Sequence, residues 1–65
     1  MEGMKRLRKE KGLSQQELAD LTGVSQKMVY LVEMGQRRPS VDLAKKIAKV
    51  LEFDWTKFYE DEAAE

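Results

Sequence analysis

The chain of 65 residues contains no cysteine and no histidine. Their absence excludes disulfide bonds, Cys/His zinc sites, a nucleophilic thiol and an imidazole base. The chain also lacks a glycine-rich phosphate loop, and it is too short to enclose a substrate pocket. We therefore predict that the protein is not an enzyme, that it needs no cofactor or metal ion, and that it binds no small-molecule ligand.

Long apolar segments are also missing. Hydrophobic residues make up 42% of the chain and charged residues 37%, and nowhere do they form the run of about 20 apolar residues that a transmembrane helix needs. The N-terminus reaches the charged residues Lys5 and Arg6 without the apolar stretch of a secretory signal. These features predict a cytoplasmic protein without membrane contact.

Neither sign of charge is in excess over the whole chain, because twelve basic residues balance twelve acidic ones. This balance argues against an indiscriminately cationic nucleic-acid binder. The distribution is uneven, since residues 1–40 hold eight basic and five acidic residues, whereas four of the six residues 60–65 are acidic. We predict one domain at 1–59 and a frayed acidic tail at 60–65.

Proline occurs once, at Pro39, and each of the four glycines lies where the apolar periodicity breaks. This punctuation predicts an all-α domain of five short helices and no strand. Serines precede the second, third and fourth helices as N-caps, and Asp54 precedes the fifth. The apolar residues predicted on the inner faces of the second to fourth helices are Leu18, Ala19, Leu21, Val29, Val32, Val41, Leu43, Ala44, Ile47, Ala48 and Leu51.

The segment from Ser14 to Gly35 has the spacing of a helix-turn-helix, with two capped helices joined by a short turn that contains Gly23. The run SQQELADLTGVSQKMVYLVEMGQRRPS resembles the helix-turn-helix of the Cro/C1 (XRE-type) repressors, and the flanks KRLRKEKGL and LAKKIAKVLEFDWTKFYE resemble that family too. The resemblance extends from Met4 to about Tyr59. It implies a compact, five-helix, lambda-repressor-like domain that binds double-stranded DNA as a transcriptional regulator, and we expect a repressor.

The third helix, at about residues 25–34, is the predicted reader of the major groove. Gln26 and Lys27 lie in its exposed first turn, where they can reach base edges. The resemblance implies the same role for Gln26, Lys27 and Leu31, with Tyr30 between them.

Phosphate contacts are expected on either side of this helix. The predicted ligands are Ser14 and Gln15 at the start of the second helix, Arg37 and Arg38 in the following loop, and Ser40. Helix capping alone also explains the serines, and for Ser40 we prefer this structural interpretation. The two arginines could instead be ordinary solvated charge.

The resemblance further implies a buried ion pair between Arg8 and Glu33 that joins the first and third helices. Trp55 and Tyr59 are candidates for a dimer face, although Trp55 could equally fill the core. We expect a homodimer that binds a palindromic operator, in association with the nucleoid.

The predicted groove face departs from the family pattern by carrying Tyr30, Leu31 and Met34. Family members usually have polar residues there, and Met34 replaces a residue that is often asparagine. Three large apolar side chains also describe a patch for a protein partner. The alternative function is therefore a protein-interaction module that uses these three residues.

Overall fold

The computed structural model describes residues 3–59, and the predicted tail at 60–65 lies outside these residues. The elements are α1 (Met4–Glu10), α2 (Gln15–Thr22), α3 (Gln26–Glu33), α4 (Val41–Leu51) and a 3₁₀ helix (Trp55–Tyr59). Residues 3–59 contain no strand, so the prediction of an all-helical fold is confirmed. The prediction of five α-helices is wrong in one element, because the last is a single short 3₁₀ helix.

Serine side chains begin α2, α3 and α4. The hydroxyl oxygens of Ser14, Ser25 and Ser40 accept hydrogen bonds from backbone amides three residues later, at 3.0, 3.1 and 3.2 Å. Glu17 completes a capping box at α2, because its carboxylate accepts from the Ser14 amide at 2.9 Å. Each cap satisfies an amide that the first helical turn leaves without a partner. The three helix starts are therefore set by local sequence.

A residue in the left-handed backbone conformation ends each of α2 and α4. Gly23 follows α2 with φ +75°, a conformation that glycine adopts without steric cost. Glu52 follows α4 with φ +60° and is the one non-glycine residue among residues 3–59 with positive φ. The Lys11 ammonium at the end of α1 forms an ion pair with the Glu52 carboxylate. This pair joins α1 to the end of α4.

The core lies where α1, α2, α3 and α4 meet. Its largest fully buried side chains are Met4, Leu18, Val29, Ile47 and Leu51. Half-buried side chains pack around this core, and among them Phe53 and Phe58 meet edge to face at 5.4 Å between ring centroids. Apolar packing thus connects α4 and the 3₁₀ helix to the helix-turn-helix.

Two of the predicted inner-face residues are wrong. Leu21 is 60% exposed and Val41 is 49% exposed. At about 100° per residue, Leu21 lies about 100° from the middle of the face formed by Leu18, Ala19 and Thr22, and Thr22 is buried in its place. The Thr22 hydroxyl donates to the Leu18 carbonyl at 2.8 Å, which satisfies the buried polar group. Val41 is the first residue of α4 and lies about 90° from the middle of its buried face.

The 3₁₀ helix begins at an Asp54 side-chain cap. The Asp54 carboxylate accepts hydrogen bonds from the Thr56 amide at 3.0 Å and from the Thr56 hydroxyl at 2.8 Å. The bond from the Thr56 amide is the largest cause that lowers the pKa of Asp54 below its ordinary value of 3.8, and the bond from the Thr56 hydroxyl is the next. The positive charge of Lys57 lowers this pKa further. The ionised carboxylate is therefore part of the cap.

Candidate nucleic-acid interface

Helix α3 presents a polar first turn to solvent. Val29 and Val32 are buried, whereas Gln26, Lys27 and Tyr30 are exposed. The rotation of about 100° per residue accounts for this division, because Val29 and Val32 are three residues apart and share one face. The amide of Gln26 and the ammonium of Lys27 are therefore accessible to a ligand in the same turn of helix.

The end of α3 is more apolar. Tyr30 is 44% exposed and Met34 is 55% exposed, and Leu31 is half-buried. The Leu31 carbonyl accepts hydrogen bonds from the amides of Gln36 and Arg37 at 2.9 and 3.2 Å. This backbone pair holds the start of the following loop against the last turn of α3.

Arg37 and Arg38 are exposed in the loop that joins α3 to α4. The Arg38 guanidinium lies 4.8 Å from the centroid of the Tyr59 ring, and the Tyr59 hydroxyl donates to the Pro39 carbonyl at 2.9 Å. Pro39 is buried. The loop is thus held at one end by the Leu31 carbonyl and at the other by Tyr59, which keeps two cationic side chains beside α3.

The remaining residues predicted to bind phosphate lie at helix starts. The Ser14 and Ser40 hydroxyl oxygens accept hydrogen bonds from backbone amides of their own helices. Gln15 is half-buried, and its side-chain amide donates to Glu33 at 3.3 Å and accepts from Gln26 at 3.4 Å. The sequence pattern did not predict this bridge, although the spacing of Gln26 and Glu33 places both on one face of α3.

Arg8 and Glu33 form an ion pair between α1 and α3. The Arg8 Nε donates to the Glu33 carboxylate at 2.5 Å, and their side chains are 7% and 2% exposed. Arg8 also donates from Nη1 to the Leu13 carbonyl at 2.7 Å. Residues 3–59 contain no buried side-chain nitrogen or oxygen without a hydrogen-bond partner. The buried charges are therefore compensated.

Trp55 and Tyr59 are both half-buried on the 3₁₀ helix. Their rings meet edge to face at 6.0 Å, and the Lys45 ammonium lies 5.1 Å from the Trp55 centroid. Both rings keep part of their surface in solvent, and the Tyr59 ring lies next to the Arg38 side chain. Within residues 3–59, this aromatic pair lies at the end of the α3–α4 loop that is farther from Leu31.

Two kinds of feature are absent from residues 3–59. No group of three or more acidic residues in this range is arranged to hold a metal ion. None of the helices in the same range is both long and apolar enough to cross a membrane.

Comparisons with known proteins agree with the helix-turn-helix geometry. The helix-turn-helix family model HTH_3 matches residues 4–58. An uncharacterised HTH-type transcriptional regulator of Bacillus subtilis, YqaF, is 43% identical over 58 residues, which cover 89% of this chain and 76% of that protein. An uncharacterised HTH-type transcriptional regulator of Methanothermobacter thermautotrophicus is 46% identical over 44 residues, which cover 68% of this chain and 64% of that protein.

A solved structure of a regulator is also similar to this chain. The crystal structure of an HTH_3 family transcriptional regulator from Vibrio cholerae aligns with a TM-score of 0.69 and 40% identity, over 89% of this chain and 33% of that chain. This chain therefore spans about a third of the Vibrio protein and less than two thirds of the Methanothermobacter relative. The family match over residues 4–58 and the identity to these regulators show that the chain belongs to the HTH_3 helix-turn-helix family, as its resemblance to XRE-type repressors predicted.

Proposed function

We propose that this protein is a sequence-specific double-stranded DNA-binding transcriptional regulator, that it acts as a repressor, and that α3 enters the major groove. One observation carries the proposal: the exposed first turn of α3 bears Gln26 and Lys27, while Val29 and Val32 hold the helix on the core. An α-helix fits the major groove, where base edges differ in their donors and acceptors. The names of the family relatives, HTH-type transcriptional regulators, support this function.

The base contacts follow from side-chain chemistry. Gln26 can donate to adenine N7 and accept from its N6 amino group, whereas Lys27 can donate to guanine O6 or N7. Tyr30 can hydrogen-bond through its hydroxyl, and Leu31 can contact a thymine methyl group. These four residues form the proposed reading surface.

Phosphate contacts orient the domain on the duplex. Arg37 and Arg38 are exposed beside α3, and they supply most of the salt-dependent affinity. At the start of α2, the Gln15 backbone amide donates to a neighbouring phosphate at the positive end of the helix dipole, and the Ser14 hydroxyl hydrogen donates to the same phosphate, since the Ser14 amide already donates to Glu17. Ser40 adds at most a minor contact, because the cap of α4 already explains a serine at this position.

The proposed regulator is a cytoplasmic, nucleoid-associated homodimer. The exposed parts of the Trp55 and Tyr59 rings form the dimer face, and the two copies bind a palindromic operator with their α3 helices about 34 Å apart. Arg38 contacts Tyr59, so this face adjoins the phosphate-binding loop. Sedimentation that shows only monomers, both alone and on a duplex with two half-sites, would exclude the dimer.

A second candidate function rests on the exposed apolar side chains of α3. Tyr30 and Met34 are 44% and 55% exposed, and with Leu31 they form a surface that suits a protein partner. If this function holds, the wild type binds no DNA. Leu31→Glu is then expected to abolish binding to the protein partner.

Selection of bound duplexes from a random-sequence pool at low salt tests the proposal. We expect an enriched motif with two half-sites and an affinity that falls steeply with salt. Gln26→Ala and Lys27→Ala are expected to relax the preference at one base pair each, by about 1 to 3 kcal/mol. Gln16→Ala, on the exposed face of α2, is the matched control. Absence of any binding at low salt contradicts the DNA-binding function and favours the protein partner.

A further inference from the structure

The 3₁₀ helix contacts the α3–α4 loop through Tyr59. The Tyr59 hydroxyl donates to the Pro39 carbonyl at 2.9 Å, and the Arg38 guanidinium lies over the Tyr59 ring, 4.8 Å from its centroid. The first contact is a directional hydrogen bond, and the second is the attraction of a cation to an aromatic face. Tyr59 therefore acts on the loop through two groups, its hydroxyl and its ring, that substitution can separate.

The hydroxyl contact fixes the backbone next to Arg38. Pro39 is buried, and its carbonyl lies directly before Ser40, the N-cap of α4. Proline fixes its own φ and restricts the backbone of the residue before it, which here is Arg38. The other end of the loop is held at the Leu31 carbonyl. The Arg38 backbone thus lies between two anchored points.

The ring contact restricts the Arg38 side chain. Ordering a long side chain when a complex forms costs free energy, and contact with Tyr59 restricts this side chain before DNA binds. A guanidinium donates hydrogen bonds to phosphate within its own plane, so contact with an aromatic ring is compatible with phosphate binding. Arg37 differs, because its backbone amide is held by the Leu31 carbonyl, at the other end of the loop.

We propose that Tyr59 is a positioning residue that raises DNA affinity by holding Arg38 in place for a phosphate. This inference rests on the proposed DNA-binding function and deepens it, because it makes the phosphate contact of Arg38, and not that of Arg37, depend on the 3₁₀ helix. Phosphate contacts carry no base information, so Tyr59 contributes equally to the affinity for every sequence.

The test compares two substitutions of Tyr59 on a duplex with one half-site of the selected motif, so that contact between two copies does not contribute. Tyr59→Leu removes the ring and the hydroxyl, whereas Tyr59→Phe removes the hydroxyl alone. The dissociation constant is expected to rise about tenfold in Tyr59→Leu and about threefold in Tyr59→Phe, and by the same factors on a random duplex.

Phe58→Leu is the matched control. Phe58 is a half-buried aromatic residue of the same 3₁₀ helix, but its ring packs against Phe53 and the core. Its replacement should therefore lower stability and leave the affinity of the folded protein unchanged. Affinities are compared at a temperature at which circular dichroism shows every variant to be folded. If Tyr59→Leu does not fold, the comparison uses Tyr59→Phe and its threefold effect.

A double-mutant cycle separates positioning from a general structural role. In the Arg38→Ala background, the Tyr59 substitutions are expected to cause no further loss of affinity, because the two residues act as one unit. In the Arg37→Ala background, the same substitutions are expected to cause their full loss. A structural role alone would give equal losses in both backgrounds.

The outcomes distinguish the two proposals. If the wild type binds no duplex at low salt, the proposed function itself fails. If the wild type binds and both Tyr59 variants keep its affinity, the positioning role is overturned. Equal losses in the Arg37→Ala and Arg38→Ala backgrounds, a loss confined to the selected duplex, or the same loss in Phe58→Leu would also overturn it.

Discussion

The helix-turn-helix and the C-terminal part of the domain are stabilised by different kinds of contact. Around α2 and α3, a polar chain runs from Leu13 through Arg8, Glu33 and Gln15 to Gln26. Around α4 and the 3₁₀ helix, apolar packing and aromatic edge contacts predominate. Apolar packing is tolerant of small rotations, whereas hydrogen bonds are directional. The difference indicates that directional polar contacts orient the proposed reading helix, in addition to the apolar core that both regions share.

Removal of one partner of the buried ion pair should have the largest effect on folding. Arg8→Ala leaves the Glu33 side chain, which is 2% exposed, without its counter-charge. We expect a loss of about 3 to 5 kcal/mol in the free energy of unfolding, measured in urea. Arg6→Ala is the control, since the Arg6–Glu10 pair is exposed and should contribute at most about 1 kcal/mol.

Joint replacement of both charged residues separates loss of the ion pair from loss of charge compensation. Arg8→Met with Glu33→Leu removes both charges, so stability should lie much closer to the wild type than that of Arg8→Ala. A double variant that is as unstable as Arg8→Ala would show that the uncompensated charge of Glu33 is not the cause of the loss.

In the apolar half, truncation of Ile47 should act through packing alone. Ile47 is fully buried in α4, and Ile47→Ala is expected to cost about 2 to 5 kcal/mol of unfolding free energy. Under conditions in which the Ile47→Ala variant remains folded, the ratio of its affinities for the selected duplex and for a random duplex should equal that of the wild type. Val41→Ala, at an exposed position of the same helix, should have little effect on stability.

The serine caps allow a smaller and local comparison. Ser25→Ala removes the cap of α3, and Ser40→Ala removes that of α4. Each should cost about 1 kcal/mol by thermal or urea unfolding. Only Ser25→Ala should weaken DNA affinity beyond its effect on stability, since it loosens the turn that carries Gln26 and Lys27. Equal effects of both variants on DNA affinity would contradict the assigned reading helix.

The smallest expected effect concerns the Asp54 cap. Its pKa is lowered in the folded protein, so its stabilising contribution is complete above the ordinary value of 3.8 and is lost as the pH falls through the lower, folded value. Asp54→Asn should remove this part of the pH dependence of the melting temperature. An unchanged acid profile in the variant would show that ionisation of Asp54 does not contribute to the pH dependence of stability.

Local signals made most of the fold predictable. Serine caps and glycine stops act within a few residues, and they gave the correct starts of α2, α3 and α4. The last helix was predicted less well, because five residues are too few for periodicity to separate an α-helix from a 3₁₀ helix. Leu21 and Val41 were misplaced because hydrophobicity was counted without the angular position of each residue.

The candidate site was predictable to a smaller extent. Exposure of Gln26 and Lys27 follows from the spacing of Val29 and Val32, so it is readable from the sequence. The contacts of Gln15 join residues that are 11 and 18 positions apart, and only the packing of α2 against α3 brings them together. The hydrogen bond from Tyr59 to Pro39 spans 20 positions and is equally a product of tertiary structure.

Titration of the isotopically labelled protein with a duplex, followed by amide chemical shifts, tests the reading role of α3 most directly. We expect the largest shifts at Gln26, Lys27 and Tyr30, with further shifts at Arg37 and Arg38. Lys49, on the exposed face of α4, should change little. Shifts confined to α4, or no shifts at low salt, would contradict the assignment of α3 as the reading helix.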